Sequence, residues 1–107
     1  MYNEIMEEQA KLEQALNQLK KRGITFAEAE RDYKIALRSE ILKLRDNGHA
    51  ATLVLNLAYG TPAIAKLRMD RDIAEALYKS ALEAINIYKL KIRVMTNEYD
   101  KEWGNTK

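Results

Sequence analysis

From Ala63 to Trp103 the chain has neither glycine nor proline. No other feature restricts its fold as much. A charged and apolar run of that length, with no residue that breaks a helix, reads as one α-helix. At a rise of 1.5 Å per residue it would be roughly 63 Å long. Thr61 and Pro62 stand where it begins. Threonine is a good N-cap, and proline is favoured at the first helical position because its missing N–H has no partner to lose there. Within the run, Ala74, Tyr78, Ala81, Ile85, Tyr88, Ile92, Met95 and Tyr99 keep an alternating three-and-four spacing. That is the sequence sign of a coiled-coil seam. Ile73, Leu77, Ala84, Ile87 and Val94 make a second stripe beside it, and Leu82 and Leu90 point elsewhere again. One neighbouring helix cannot cover so broad an apolar surface.

The remaining glycines divide what comes before. Gly23, Gly48 and Gly60, with Gly104 at the far end, fall between periodic segments, and glycine is common just past a helix end. The expected helices are therefore 2–22, 25–47, 50–59 and 62–103. In the first, Ile5, Leu12, Leu16 and Leu19 share a face with Gln9. Acidic residues open it and Lys20, Lys21 and Arg22 close it, as the helix dipole favours. Thr25 and Glu28 have the spacing of a capping box for the second, and Ile24 and Ala29 stand where a hydrophobic staple would. The apolar face of that second helix is Phe26, Ala29, Tyr33, Leu37, Ile41 and Leu44. Asp46-Asn47-Gly48 ends it. Residues 50–59 are short and mostly apolar and are read as a buried helix, since a lone strand would have nothing to pair with.

The expected fold is all-α: a helical hairpin, a short helix and one long C-terminal helix, forming a bundle. The first two helices, each roughly 31–35 Å long, would cover about half of the fourth. The rest would expose more apolar surface than a monomer tolerates. A homodimer built on the seam residues is the expected repair. If Gly23 does not break the helix, the first two helices become one arm, and a two-helix hairpin buries the seam within one chain.

Composition bounds the function. Apolar residues are 47% and charged residues 32% of the 107-residue sequence, enough for one domain with a solvated surface. A net charge of +2 does not advertise a polyanion partner. There is no cysteine, hence no disulfide and no thiolate nucleophile or ligand. The start carries Glu4, Glu7 and Glu8 in place of a basic segment and an apolar one, so it does not read as a secretion signal. The longest mostly apolar stretch, His49 to Tyr59, is too short to span a bilayer. The expected location is the cytoplasm.

No constellation for chemistry emerges. His49, the single histidine, has no nucleophile to serve and reads as a turn residue. No His-Glu-x-x-His or Glu-x-x-His pair is present. Asp70, Asp72 and Glu75 alternate with Arg68 and Arg71 and read as intrahelical ion pairs. The isolated glycines cradle no phosphate. Ala51 to Met69 has the helix–turn–helix order, but Asn56 and Lys66 stand where that motif wants a small and a buried residue. Lys79, Lys89 and Arg93, with Asn86, form a polar stripe on the outer face of the long helix. It is a candidate nucleic-acid face, diluted by Glu75 and Glu83. No catalytic, cofactor-binding or metal-binding residue is expected.

Two segments carry a resemblance. Ile24 to Asp46, ITFAEAERDYKIALRSEILKLRD, and Leu67 to Trp103, LRMDRDIAEALYKSALEAINIYKLKIRVMTNEYDKEW, resemble small all-helical proteins of unknown function from phages and prophages of Gram-positive bacteria. The resemblance implies a phage-encoded accessory protein. It brings no functional residues with it.

The expected function is non-catalytic protein–protein interaction with a host or phage protein, including inhibition of a host system. The alternative is nucleic-acid binding in phage replication or recombination. A third reading is a sponge for a small anionic nucleotide at a subunit junction lined by Tyr and Arg.

Overall fold

The computed structural model describes residues 1–104. They form three helices: α1 (Tyr2–Asp46), α2 (Ala51–Gly60) and α3 (Pro62–Gly104). Among the described residues there is no strand.

Two expected helices are in fact one. Residues 2–22 and 25–47 join as α1, a single helix of 45 residues that passes through Gly23. The physical reason lies in the phase of the apolar stripe. Ile5, Leu12, Leu19, Phe26 and Tyr33 fall seven residues apart straight across the glycine, and all are buried or half-buried. A glycine inside a helix costs about 1 kcal/mol. At about 25 cal/mol per Å², about 40 Å² of extra apolar cover from keeping Leu19 and Phe26 on one continuous stripe would offset that cost. Thr25 accordingly lies in the helix interior and caps no helix start. Lys20, Lys21 and Arg22 sit far from the last turn of α1, where Lys43 and Arg45 stand instead. The dipole therefore does not explain that basic run.

The expected ends elsewhere are present. Gly48 has φ +87°, its N–H donates to the Arg45 carbonyl at 3.0 Å, and the His49 N–H donates to the Leu44 carbonyl at 3.1 Å. This is a Schellman motif, with glycine at the left-handed position because it has no Cβ to clash. Pro62 begins α3, and the Ala65 N–H makes the first helical bond to the Thr61 carbonyl at 2.9 Å. The Thr61 hydroxyl is used elsewhere, facing the Leu57 carbonyl at 3.1 Å and the Glu40 carboxylate at 3.4 Å.

Contacts divide the chain into two compact units. The first pairs Met1–Arg22 with the part of α3 that starts at Tyr78. Here Tyr2 meets Tyr99, ring centres 6.4 Å apart, so the start of α1 lies beside the end of α3. Among the described residues Ile5 and Ile85 are its buried apolar residues, and Glu8 is buried as well.

The second unit is Gly23–Leu77. It holds three helical pieces: the rest of α1, all of α2 and the first part of α3. Tyr33, Val54, Ala58, Ile64 and Ala74 form its core. Val54 and Ala58, one turn apart, share the face that α2 turns inward. Glu30 of α1 reaches Arg71 of α3, and Glu40 reaches Thr61, the residue just before α3, so the two helices run antiparallel here.

Candidate protein-docking face

α2 has ten residues and buries only Val54 and Ala58. Leu53, Leu55 and Leu57 are left exposed, Leu53 by 56%. A short helix this apolar normally hides more of itself. Nearby in sequence, α3 leaves Met69, Ile73 and Leu77 exposed. The spacing of these three puts them on one side of the helix. They do not belong to the seam side, on which Ile64 and Ala74 are buried.

An open groove of about 450 Å³ follows that side. It is lined by Tyr59 of α2 and by Ala65, Arg68, Met69, Asp72, Ile73 and Ala76 of α3. The Arg68 guanidinium lies 4.7 Å from the centre of the Tyr59 ring, a cation–π distance. The Asp72 carboxylate is bonded by Arg71 Nε at 2.8 Å. The groove thus offers an apolar lining with one stacked cation and one carboxylate already engaged by a neighbour. An apolar lining with a few fixed polar groups is what a binding surface generally has. A Tyr and an Arg do come together, as the nucleotide-sponge reading wants, but they do so within one chain.

Arg71 corrects a second expectation. The sequence pairs the arginines of α3 with carboxylates along their own helix. Arg71 does hold Asp72, and Lys66 meets Asp70 at 3.6 Å. Yet Arg71 also crosses to α1, reaching Glu30 at 3.5 Å and lying 4.8 Å from the centre of the Tyr33 ring. Burial works against its charge, but the Asp72 hydrogen bond and the charges of Asp72 and Glu30 outweigh it and raise its pKa.

Every seam residue is covered to some degree within the chain. Ala74 and Ile85 are buried, and Tyr78, Ala81, Tyr88, Ile92, Met95 and Tyr99 are half-buried. In the first unit only the start of α1 is there to cover them. α1 has 45 residues and α3 has 43, so the two short helices expected before the long one are replaced by one helix of similar length. The second stripe behaves differently: Ile73, Leu77, Ile87 and Val94 are exposed and Ala84 is half-buried.

Lys79, Lys89 and Arg93, with Asn86, are exposed on α3, Glu83 beside them is exposed as well, and Glu75 is half-buried. His49 closes the turn after α1 through its backbone N–H. Among the described residues no group of His, Cys, Asp or Glu could hold a metal ion, and no helix is long and apolar enough to cross a membrane.

Glu8 escaped sequence reasoning. It is buried, Lys11 Nζ donates to its Oε1 at 3.1 Å, and its Oε2 has no hydrogen-bond partner. The available signal was its position three residues after Ile5 and four before Leu12, on the seam side.

Comparison with protein-family models, with curated proteins and with solved structures finds no match to this chain.

Proposed function

We propose that this is a non-catalytic accessory protein of the phage type that acts by docking a host or phage protein on the uncovered apolar side chains of its second unit. One observation carries the reading. α2 spends two of its ten residues on the core and leaves three leucines bare. The same unit leaves Met69 and Ile73 exposed along a groove that holds a stacked Tyr–Arg pair, and so much bare apolar surface resembles an interface more than a solvated face. The partner is a protein because the lining is apolar and its carboxylate, Asp72, is already held. The site of action is the host cytoplasm.

The test is affinity capture from a host lysate with nuclease present, comparing the natural chain with a Leu53→Asp, Leu57→Asp double variant. Both leucines are exposed, so the variant should melt as the natural chain does. A protein captured by the natural chain and lost with the variant supports the reading. Capture that survives in the variant, or disappears with nuclease, overturns it.

Nucleic-acid binding is the second reading, favoured by the joint exposure of Lys79, Lys89 and Arg93 along one side of α3. Self-association is proposed to use the exposed second stripe, Ile87 and Val94 in particular, since α1 already lies on the seam.

A further inference from the structure

We propose, resting on the docking reading, that the groove of the second unit takes a helix of about three turns from the partner protein, with aliphatic side chains against Met69 and Ile73 and a carboxylate on the Arg68 guanidinium. The shape of the groove and its charge support this independently.

The α3 wall of the groove is built of Ala65, Arg68, Met69, Asp72, Ile73 and Ala76. They follow one another at steps of one, three and four residues and make a single stripe along the helix. At 1.5 Å per residue the stripe is roughly 17 Å long, the length of a helical segment of about eleven residues. Its middle is apolar, with Met69 54% and Ile73 51% exposed. Alanine stands at both ends, and a small side chain there lets a second helix come close. An extended strand binds by pairing with unpaired backbone groups of a sheet edge. This wall is helical and its backbone groups already bond one another, so a strand gains nothing from it. An amphipathic helix, with apolar residues one turn apart, fits such a stripe.

Charge then says what else the guest carries. α2 has no charged residue, and the charged groups that line the groove are Arg68 and Asp72. Asp72 Oδ1 accepts from Arg71 Nε at 2.8 Å. Arg68 is exposed and lies 4.7 Å from the centre of the Tyr59 ring. Among the described residues no carboxylate pairs with Arg68, because Asp70 is met by Lys66 and Asp72 by Arg71. The ring attracts the cation and steadies it at the wall, but it supplies no oxygen to the guanidinium N–H groups. The unmatched charge of the groove is therefore positive, with its donors open, and a carboxylate is its complement.

Peptide selection on the full chain tests the proposal. A displayed library of random peptides of about 14 residues, long enough for three helical turns, is panned on the natural protein. The most enriched peptide is then made with a fluorescent label and titrated by anisotropy. Enriched peptides should carry aliphatic residues at three-and-four spacing with an aspartate or glutamate among them. Arg68→Glu should weaken the labelled peptide at least about fivefold. The same peptide with lysine in place of its acid should bind Arg68→Glu more tightly than it binds the natural chain, a swap that a merely structural role of Arg68 does not produce. Ile73→Asp should abolish binding of the acidic peptide. Arg68 and Ile73 are both exposed, so circular dichroism should show both variants folded. Selection that enriches no peptide, or peptides without an acid, overturns the proposal, and so does binding that Arg68→Glu leaves unchanged. Concentration-dependent mass lost in Ile73→Asp and kept in Ile87→Asp overturns it in favour of a second copy. ATP binding lost in Arg68→Glu, with no peptide enriched, overturns it in favour of a nucleotide. The docking reading is judged separately, by lysate capture in the Leu53→Asp, Leu57→Asp variant, because both leucines lie on the side of α2 away from Tyr59. Capture that depends on those leucines and not on Arg68 keeps that reading and removes the acidic helix.

Discussion

Arg71 of α3 lies over the ring of Tyr33 of α1, 4.8 Å from its centre, while its Nη1 faces the Glu30 carboxylate at 3.5 Å. Tyr33 is buried and Arg71 half-buried, so this contact ties α1 to α3 where water is partly excluded. A cation over an aromatic face gives about 0.5–2 kcal/mol, and the arginine stem adds packing of its own. Arg71→Ala should therefore lower stability by about 1–3 kcal/mol, measured by urea denaturation. Arg71→Lys should recover part of the loss, because an ammonium keeps the charge but not the planar fork. A loss below about 0.5 kcal/mol for the alanine variant would mean that the contact is incidental.

Ile85 and Lys89, one turn apart on α3, should respond very differently. Ile85 is 4% exposed and Lys89 is exposed. Ile85→Asp places an unpaired carboxylate among apolar side chains, at a cost of several kcal/mol. It should melt the first unit, seen as lost helical signal in circular dichroism. Lys89→Ala should change stability by no more than about 0.5 kcal/mol.

Ile87, two residues after Ile85, separates folding from self-association. It is 49% exposed. Ile87→Asp should leave the melting temperature nearly unchanged and abolish any concentration-dependent mass seen by light scattering. A natural chain that scatters as one 12.4 kDa copy throughout the micromolar range contradicts self-association by this stripe.

These positions mark what the sequence carried and what it did not. The seam from Ala74 to Tyr99 was legible because helical periodicity is set by backbone geometry alone. The helix ends at Gly48 and Pro62 were legible because local stereochemistry decides them. Gly23 misleads for the same reason: local signals for a break, complete down to Thr25 and Glu28, are outweighed by a seam whose phase runs unbroken from Ile5 to Tyr33. Only the phase across the glycine, read as one stripe, distinguishes the two. The bare leucines of α2 were not legible. A ten-residue apolar helix gives no sign of which face it will turn inward until Val54 and Ala58 find the core.

Glu8 gives a stability prediction that runs against intuition. Its carboxylate is buried with one oxygen unpartnered, and its lysine partner is exposed. Replacing such a group by an apolar one of similar volume is often neutral or stabilising, so Glu8→Leu should raise stability by about 1 kcal/mol. The hydrogen bond from Lys11 to Glu8, and then the charge of Glu8, hold the lysine above its ordinary pKa. A raised lysine contributes stability that is fully present below the unfolded value and is lost as pH rises through the folded one. Lys11 therefore adds no slope between about pH 6 and 9. A Glu8→Leu protein less stable than the natural chain would show that the Glu8–Lys11 pair outweighs the burial it requires.

The nucleic-acid reading stands or falls on Lys79, Lys89 and Arg93. They are exposed and share one side of α3, with Asn86 between them. Binding through these cations would release counterions from the phosphates they meet. The log–log dependence of affinity on salt would then have a slope of roughly 0.9 per phosphate on duplex DNA. Replacing all three by alanine should flatten that slope by up to about three such increments while leaving the helical signal intact. The protein-docking reading expects the reverse. The triple variant should still capture its protein partner, because a few apolar or aromatic anchors dominate most interfaces and rim charges contribute little. A gel shift at low salt decides between them. Tight binding that grows with the length of the nucleic acid and is lost in the triple variant would give this face the function. Absence of such binding, together with loss of protein capture in the Leu53→Asp, Leu57→Asp variant, would give it to the second unit.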